Sequence, residues 1–316
     1  MTPQNDFTDQ MPKVTILMGV HNGERHLRAQ LDSIAGQTHR HWRLVCSDDE
    51  STDRSLVILR RFQQEWPDFV TILKGPKTGF SDNYMSLIRQ LRPDAGFVCF
   101  ADQDDIWLPN KISRSLQSLC RFGAMPALYC GRQYLWYPDV NRRIMSPRMT
   151  RPFTIQNALV ENIATGNTIM LNPRAAALAQ RATCRVGQVF AHDWWLYLLI
   201  TATGGKICFD NSAPAILYRQ HAENAIGAGR GAISQIKRKY GVLQGLFAQR
   251  VEGNLQALND IADLVTPAAG DICRQFAKAR RHTGIARLRA LRGISPYRQH
   301  RAGSLGFWGA ASLGRI

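Results

Sequence analysis

Two acidic segments of the chain carry side chains that suit a divalent cation. They are Ser47-Asp-Asp-Glu-Ser-Thr-Asp53 and Ala101-Asp-Gln-Asp-Asp105. Carboxylates that converge on one place repel one another unless a cation lies between them. Mg²⁺ and Mn²⁺ prefer oxygen ligands and often bridge a protein to substrate phosphates. The second segment is the stronger candidate, because a turn or a helix cap needs one acid and this segment offers three.

Both acidic segments directly follow apolar runs of strand length. Such runs cover residues 14–20, 43–47, 69–73 and 97–101, and segments with apolar residues at helical spacing lie between them. This alternation predicts an α/β fold with a doubly wound, mostly parallel sheet and helices on both faces. Sheets of this kind bind ligands beyond the carboxyl ends of their strands. We therefore expect the two acidic segments to meet at the binding edge of the sheet.

The positive charge is concentrated at the C-terminal end of the chain. There are 40 Lys plus Arg against 24 Asp plus Glu, a formal net charge of +16. From residue 230 onward 15 basic residues accompany four acids, and after Asp271 ten basic residues accompany none. Gly227, Gly229 and Gly231 mark a boundary before this region. We expect an α/β domain over residues 1–229 and a basic, mainly helical region over residues 230–316, whose charge attracts polyanions.

The composition excludes several classes of protein. With 45% apolar and 20% charged residues, the chain is neither disordered nor collagen-like. No apolar run approaches the roughly 20 residues of a membrane span, and residues 1–13 lack the apolar stretch of a signal peptide. The seven cysteines are widely spread without a CxxC pair, which argues against a disulfide framework and a thiolate zinc site. We expect a cytoplasmic protein.

Several ordered motifs make the chain resemble the family 2 glycosyltransferases, the large inverting group with the GT-A fold. Besides the acidic segment Ser47–Asp53, the motifs are Pro12–Glu24, Thr78–Asn83, Phe100–Lys111, His192-Asp-Trp-Trp195 and Leu217-Tyr-Arg-Gln-His221. Together they are most similar to the rhamnosyltransferase-like subgroup of bacterial surface-polysaccharide enzymes. The resemblance covers about residues 12–229.

The resemblance implies an inverting, metal-dependent transfer of one sugar, with rhamnose as a candidate. The donor is expected to be a UDP- or dTDP-sugar. The acceptor is expected to be a saccharide or a lipid-linked saccharide in the synthesis of O-antigen, lipooligosaccharide or capsule. The Gln-x-x-Arg-Trp motif of processive synthases is absent, which favours transfer of a single sugar. The donor half is expected at about residues 12–125 and the acceptor half at about residues 126–229.

The same resemblance assigns roles to individual acids. Asp193 matches the general base that takes the proton of the acceptor hydroxyl, and Glu161 is the second candidate for this role. Asp48 matches the acid that accepts a hydrogen bond from the ring N–H of uracil or thymine. Glu24 matches an acid near the ribose of the nucleotide.

Further contacts to the nucleotide sugar are implied at other positions of the matching motifs. They are Val20, Asn22, Gly79, Asn83, Asp102 and Gln103. The divalent metal, Mn²⁺ or Mg²⁺, is assigned to Asp104, Asp102 and His221. Such a metal neutralises charge on the leaving diphosphate.

The basic C-terminal region favours contact with a membrane surface. Apolar residues interleave with its basic residues: Leu288, Leu291, Ile294, Leu305, Phe307 and Trp308. This pattern is typical of segments in an anionic membrane interface, so we expect a peripheral position on the inner face of the cytoplasmic membrane. Because the excess of basic over acidic residues is concentrated at the C-terminal end of the chain, no contact with nucleic acid is expected. The alternative functions are a nucleotidyltransferase on a related α/β fold and a basic nucleic-acid-binding protein.

Overall fold

The first apolar run, Val14–Val20, forms strand β1 near the centre of a seven-stranded sheet. The structure is a computed structural model that describes residues 11–220 and 245–316. Ile16 and Met18 pack into one apolar cluster, whereas Leu17 packs into a second cluster on the other face of the sheet. None of the three side chains is more than 1% exposed. Helices therefore cover both faces of the sheet, which confirms the doubly wound α/β fold.

The described residues contain strands and helices in the following order. The strands are β1 (Val14–Val20), β2 (Trp42–Asp48), β3 (Val70–Lys74), β4 (Phe97–Ala101), β5 (Ile106–Trp107), β6 (Ala127–Gly131), β7 (Tyr134–Tyr137), β8 (Arg142–Met145), β9 (Met170–Leu171), β10 (Lys206–Asp210) and β11 (Ile216–Arg219). The helices are α1 (Leu27–Ala35), α2 (Ser55–Glu65), α3 (Phe80–Arg89), α4 (Lys111–Cys120), α5 (Ile155–Ala158), α6 (Pro173–Thr183), α7 (His192–Ala202), α8 (Leu246–Asp260), α9 (Pro267–Arg281), α10 (Gly284–Ile294) and α11 (Arg301–Ser312). None of these helices is long and apolar enough to cross a bilayer.

The large sheet is mostly parallel, as predicted, but one strand runs against the others. Its order is β10-β6-β9-β4-β1-β2-β3, and β9 is antiparallel to both β4 and β6. The sequence predicts a strand over residues 167–171, but Gly166–Thr168 form a 3₁₀ turn and only two residues pair in β9. Four other strands form a second, smaller sheet of order β5-β11-β7-β8. The carboxyl ends of β1 and β4 are adjacent, which brings the loops that follow them together.

The C-terminal region is helical, as predicted, and it shares an apolar core with the rest of the fold. Phe276, Leu291 and Phe307 are buried in the same cluster as Trp195 of α7. The sequence predicts that Leu291, Ile294 and Phe307 contact a membrane, but the structure buries all three in the core. The predicted boundary at residue 229 lies outside the described residues.

Polar contacts also join the C-terminal region to the predicted acceptor half. Oε2 of Glu161 accepts a hydrogen bond from the backbone N–H of Gln299 at 2.6 Å. The hydroxyls of Thr154 and Tyr297 lie 3.0 Å apart. Glu161 is therefore used in holding the two regions together.

Candidate active site

A pocket of about 1160 Å³ opens where the carboxyl ends of β1 and β4 meet. Its walls come from the residues after these two strands, from the first turn of α3 and from the first turn of α7. The predicted site residues that line it are Val20, Asn22, Gly79, Asn83, Asp102, Gln103, Asp104 and Asp193. The fold therefore brings residues of both predicted halves into one site.

Asp102 and Asp104 lie in the pocket together. The hydroxyl of Tyr84 lies 3.0 Å from Oδ1 of Asp102. Burial and, after it, the nearby carboxylate of Asp104 together raise the pKa of Asp102 to about 7. A divalent cation would relieve this repulsion, and Mg²⁺ is commonly bound by one or two carboxylates together with substrate phosphates. The two acids therefore fit a cation that shares its ligands with a diphosphate.

The described residues supply two acids for such a cation but no complete metal site. Within residues 11–220 and 245–316, no three His, Cys, Asp or Glu side chains are grouped as metal ligands. His221, the third predicted ligand, lies outside the described residues. The remaining ligands of a cation held by Asp102 and Asp104 would include substrate oxygens and water.

Asp105 is fully buried and holds the loop that carries the two pocket acids. Its Oδ2 accepts a hydrogen bond from the amide of Asn167 at 2.5 Å. Nε of Arg219 donates to the backbone carbonyl of Asp104 at 2.9 Å. Burial raises the pKa of Asp105, and the charges of Asp102 and Asp104 add to this effect. The third acid of the segment is thus structural.

Asp193 lies in the first turn of α7 and lines the same pocket. Its Oδ1 accepts a hydrogen bond from the backbone N–H of Trp194 at 2.7 Å, and its Oδ2 accepts one from Gly166 at 3.2 Å. Burial raises the pKa of this carboxyl to about 6. A carboxylate with a pKa slightly below neutrality is ionised at pH 7 and still basic enough to accept a proton in a transition state.

Two side-chain amides hold the strand ends that form the pocket. Oε1 of Gln103 accepts a hydrogen bond from the backbone N–H of His21, and its Nε2 donates to the carbonyl of the same residue, both at 2.9 Å. Nδ2 of Asn83 donates to the carbonyl of Ser47 at 3.0 Å. Gln103 thus joins the loop after β4 to the end of β1, and Asn83 joins α3 to β2.

Two predicted donor contacts are not among the residues that line the pocket. Asp48 ends β2, and its Oδ2 accepts a hydrogen bond from the backbone N–H of Ser51 at 3.2 Å. The next acid, Asp49, lines the pocket instead, because successive side chains of an extended chain point to opposite sides. Glu24 accepts a hydrogen bond from the backbone N–H of Arg54 at 2.8 Å and so orders the turn before α2.

The carboxylate of Asp49 organises the loop between β3 and α3. It accepts hydrogen bonds from the backbone N–H groups of Lys77 at 2.6 Å and Gly79 at 3.1 Å. Gly79 has a φ of +98°, a conformation that glycine adopts without strain. Asp49 thus holds the predicted residue Gly79 in place, and of the adjacent pair Asp48 and Asp49 only Asp49 lines the pocket.

The pocket also contains residues to which the sequence assigns no binding role. The ring of His192 stacks on Tyr84, with 4.0 Å between the ring centroids. Neither nitrogen of His192 has a hydrogen-bond partner among the described residues, and burial lowers its pKa to about 3. Phe190 and Arg250 complete this side of the pocket. Arg250 comes from the C-terminal region, and no local sequence pattern connects it with the motifs of the first 220 residues.

Similar proteins are glycosyltransferases. The chain is 27% identical over 250 residues to dTDP-rhamnosyl transferase RfbG of Shigella flexneri, covering 77% of this chain and 85% of the relative. It is 27% identical over 238 residues to UDP-Glc:alpha-D-GlcNAc-diphosphoundecaprenol beta-1,3-glucosyltransferase WfgD of Escherichia coli, covering 73% and 85%. Neither sequence alternative, nucleotidyltransferase or nucleic-acid-binding protein, finds support in these relatives.

Solved structures share the fold at low sequence identity. S. aureus TarS 1-349 in complex with UDP-GlcNAc superposes with a TM-score of 0.55 at 14% identity, covering 94% of this chain and 92% of TarS. Mannosyltransferase PcManGT from Pyrobaculum calidifontis, in complex with GDP-Man and Mn²⁺, has a TM-score of 0.50 at 16% identity, covering 97% and 85%. The family model described as Glycosyl transferase family 2 matches residues 15–182, more than half of the chain. The chain therefore belongs to glycosyl transferase family 2.

Proposed function

We propose that this chain is an inverting, metal-dependent glycosyltransferase that transfers one sugar from a UDP- or dTDP-sugar to a saccharide or lipid-linked saccharide. The product belongs to a bacterial surface polysaccharide. Rhamnose is the first candidate for the donor sugar, because the relative RfbG is named a dTDP-rhamnosyl transferase. A lipid-linked acceptor is favoured because the name of WfgD specifies a diphosphoundecaprenol acceptor. The observation that carries the proposal is the meeting of Asp102, Asp104 and Asp193 in one pocket.

The proposed reaction is a single displacement at the anomeric carbon. The acceptor oxygen forms a bond to this carbon while the bond from the carbon to the diphosphate breaks, and the nucleoside diphosphate leaves. Asp193 accepts the proton of the acceptor hydroxyl. Asp102 and Asp104 would hold a divalent cation, which would supply charge neutralisation for the leaving group.

A donor screen tests this function. The purified protein is incubated with UDP-, dTDP- and GDP-sugars in the presence of Mn²⁺ or Mg²⁺, and slow donor hydrolysis is followed by mass spectrometry. We expect release of a nucleoside diphosphate from one or a few UDP- or dTDP-sugars. Absence of hydrolysis together with absence of UDP and dTDP binding in calorimetry would contradict the proposal.

Replacing Asp49 with Ala is expected to weaken donor nucleotide binding by roughly ten- to a hundredfold. A charge-assisted hydrogen bond to a base N–H is worth about 1.5–3 kcal/mol. Asp49 of the segment Ser47–Asp53 lines the pocket whereas Asp48 does not, so we assign to Asp49 the base contact that the sequence predicts for Asp48. Calorimetric titration with UDP and dTDP measures the change.

Two comparisons separate base recognition from a disturbed loop. Asp48→Ala is the matched control, because Asp48 is not among the residues lining the pocket, and it should leave UDP affinity nearly unchanged. The cytosine ring of CDP lacks the N–H from which a carboxylate could accept a hydrogen bond. The wild type should therefore bind UDP more tightly than CDP, and Asp49→Ala should lose this preference. Equal weakening of UDP and CDP would show that Asp49 acts only through the loop.

We further propose that α10 and α11 contact the anionic inner surface of the cytoplasmic membrane. Ile285, Leu305 and Leu313 are 70%, 73% and 68% exposed in and just after these helices. Arg289 and Arg292 are exposed on α10. Exposed apolar side chains beside basic ones favour insertion at the boundary between headgroups and acyl chains.

Replacing Arg289 and Arg292 together with Ala is expected to weaken binding to anionic vesicles by about thirtyfold. Each basic residue near such a surface contributes about 1 kcal/mol. Sedimentation with phosphatidylglycerol-containing vesicles measures the affinity. The control is the pair Arg60→Ala and Arg61→Ala, which changes two exposed arginines on α2 in the donor half. Equal binding of the wild type to neutral and anionic vesicles would contradict this proposal.

A further inference from the structure

Helix α8 of the C-terminal region lies against the segment that carries Asp193. The rings of Phe247 and Trp194 stack with centroids 6.4 Å apart and an interplanar angle of 25°. The guanidinium carbon of Arg250 lies 3.7 Å from the centroid of the Phe190 ring. Arg250 also lines the pocket. The C-terminal region thus places one guanidinium group in the pocket, on the side formed by the first turn of α7.

Arg250 differs from other arginines of this region in its partners. Arg280 forms an ion pair with Glu252, and Nε of Arg298 donates to the carbonyl of Val160 at 2.9 Å. Among the described residues, no carboxylate or carbonyl accepts a hydrogen bond from Arg250, whose only described partner is the ring of Phe190. The residue is half-buried, so its charge is partly removed from water without an anion in return. A partly buried guanidinium of this kind is stabilised when a ligand brings an anionic group to it.

We propose that Arg250 binds a phosphate or diphosphate group of the acceptor. A guanidinium presents donors in a planar fork that matches phosphate oxygens, and stacking on an aromatic ring fixes the orientation of that fork. This inference rests on the proposed function, in which a lipid-linked acceptor carries a diphosphate beside its first sugar. By binding the diphosphate, Arg250 would fix the position of the acceptor and so of its attacking hydroxyl. Arg250 is therefore a positioning residue.

The position of Arg250 favours the acceptor over the donor. Its ring partner, Phe190, lies three positions before Asp193, the proposed base for the acceptor hydroxyl. The donor diphosphate is assigned to the cation site at Asp102 and Asp104, which lies on a different chain segment after β4. The positive charge of Arg250 on the acceptor side would let the enzyme prefer acceptors with a charged lipid linkage over neutral glycosides.

The test uses farnesyl diphosphate as the probe for the acceptor anion. The full-length protein is first saturated with Mn²⁺ and with UDP or dTDP, whichever binds, so that the donor site is filled. Farnesyl diphosphate, and farnesol as its neutral counterpart, are then titrated by calorimetry into the wild type, Arg250→Ala and Arg250→Lys. Arg60→Ala, a change of an exposed arginine on α2, is the control. Thermal denaturation checks that each variant is folded.

We expect the wild type to bind farnesyl diphosphate more tightly than farnesol. Arg250→Ala should lose roughly ten- to a hundredfold of the affinity for farnesyl diphosphate, and Arg250→Lys should lose less, because Lys keeps the charge without the fork. Nucleotide affinity should be unchanged in both. Equal farnesyl diphosphate affinity of wild type and Arg250→Ala would overturn the inference, and so would a loss of UDP or dTDP affinity in Arg250→Ala, which would place Arg250 at the donor. Nucleotide binding by the wild type tests the proposed function separately.

Discussion

Replacing Asp193 with Asn is expected to lower the turnover number by roughly 10²- to 10⁴-fold, the range that general base catalysis supplies. The substitution keeps the shape of a side chain that is bonded to the backbone N–H groups of Trp194 and Gly166, and it removes the basicity. Donor affinity should change little, because the proposed role of Asp193 concerns only the acceptor hydroxyl. Steady-state turnover and calorimetric titration with UDP and dTDP measure the two quantities.

Glu161→Gln is the matched control for this prediction. Glu161 is the second candidate base in the sequence, but its Oε2 accepts hydrogen bonds from Asn157 and Gln299 and it does not line the pocket. Turnover of Glu161→Gln should therefore stay near that of the wild type. If Asp193→Asn kept more than about a tenth of wild-type turnover, the base would have to be another group.

The pH profile of the wild type checks the same assignment without a mutation. Burial raises the pKa of Asp193 to about 6, so the carboxyl becomes protonated as the pH falls through this value. A protonated carboxyl cannot accept the acceptor proton. Turnover at saturating substrate should therefore be nearly constant at neutral pH and fall below about pH 6. A profile that stays flat well below this pH would contradict the role of Asp193.

Replacing Asp104 with Ala is expected to lower transfer by roughly a thousandfold or more. Charge stabilisation by a bound cation is worth several kcal/mol, and each ~1.4 kcal/mol is tenfold in rate. Asp104 lies in the loop after β4 and faces the pocket, so its loss should leave the apolar core unchanged. Initial rates measure the effect, and thermal denaturation shows whether the fold is kept.

Chelation provides an independent measure of the same site. EDTA should abolish wild-type transfer, and added Mn²⁺ should restore it in the wild type but not in Asp104→Ala. Asp68→Ala is the control, because Asp68 is exposed on the donor half outside the residues lining the pocket. Full activity of the wild type in EDTA would show that transfer does not depend on a metal.

Much of the fold follows from the sequence because its signals are local. The alternation of apolar runs and helical patterns predicts β1 to β4 and the helices between them, and strand ends of a parallel sheet must share an edge. The acids at 102 and 104 are therefore expected in the pocket and lie there. The antiparallel strand β9 is only two residues long, and its pairing between β4 and β6 is set by tertiary contacts that no local pattern encodes.

The residues that line the pocket differ from the sequence-based expectation at a few positions, each for a physical reason. Asp48 and Asp49 are adjacent, and which of them faces the pocket depends on where β2 ends, a boundary that sequence patterns locate only within a residue or two. Glu24 follows β1, where a site acid is expected, but its carboxylate orders the start of α2. Arg250 is brought to the pocket by packing of α8 on α7, which involves residues far apart in the chain.

The core that α9, α10 and α11 share with α7 limits how enzymes of this architecture can diversify. Phe276 and Phe307 belong to the apolar cluster that these helices share with α7, so each surface is shaped to the other. A recombinant that joined these helices from one enzyme to the sheet of another would bring together side chains that never packed against each other. New acceptor preferences should therefore arise in this architecture by paired substitutions across the shared core, and seldom by exchange of its C-terminal part.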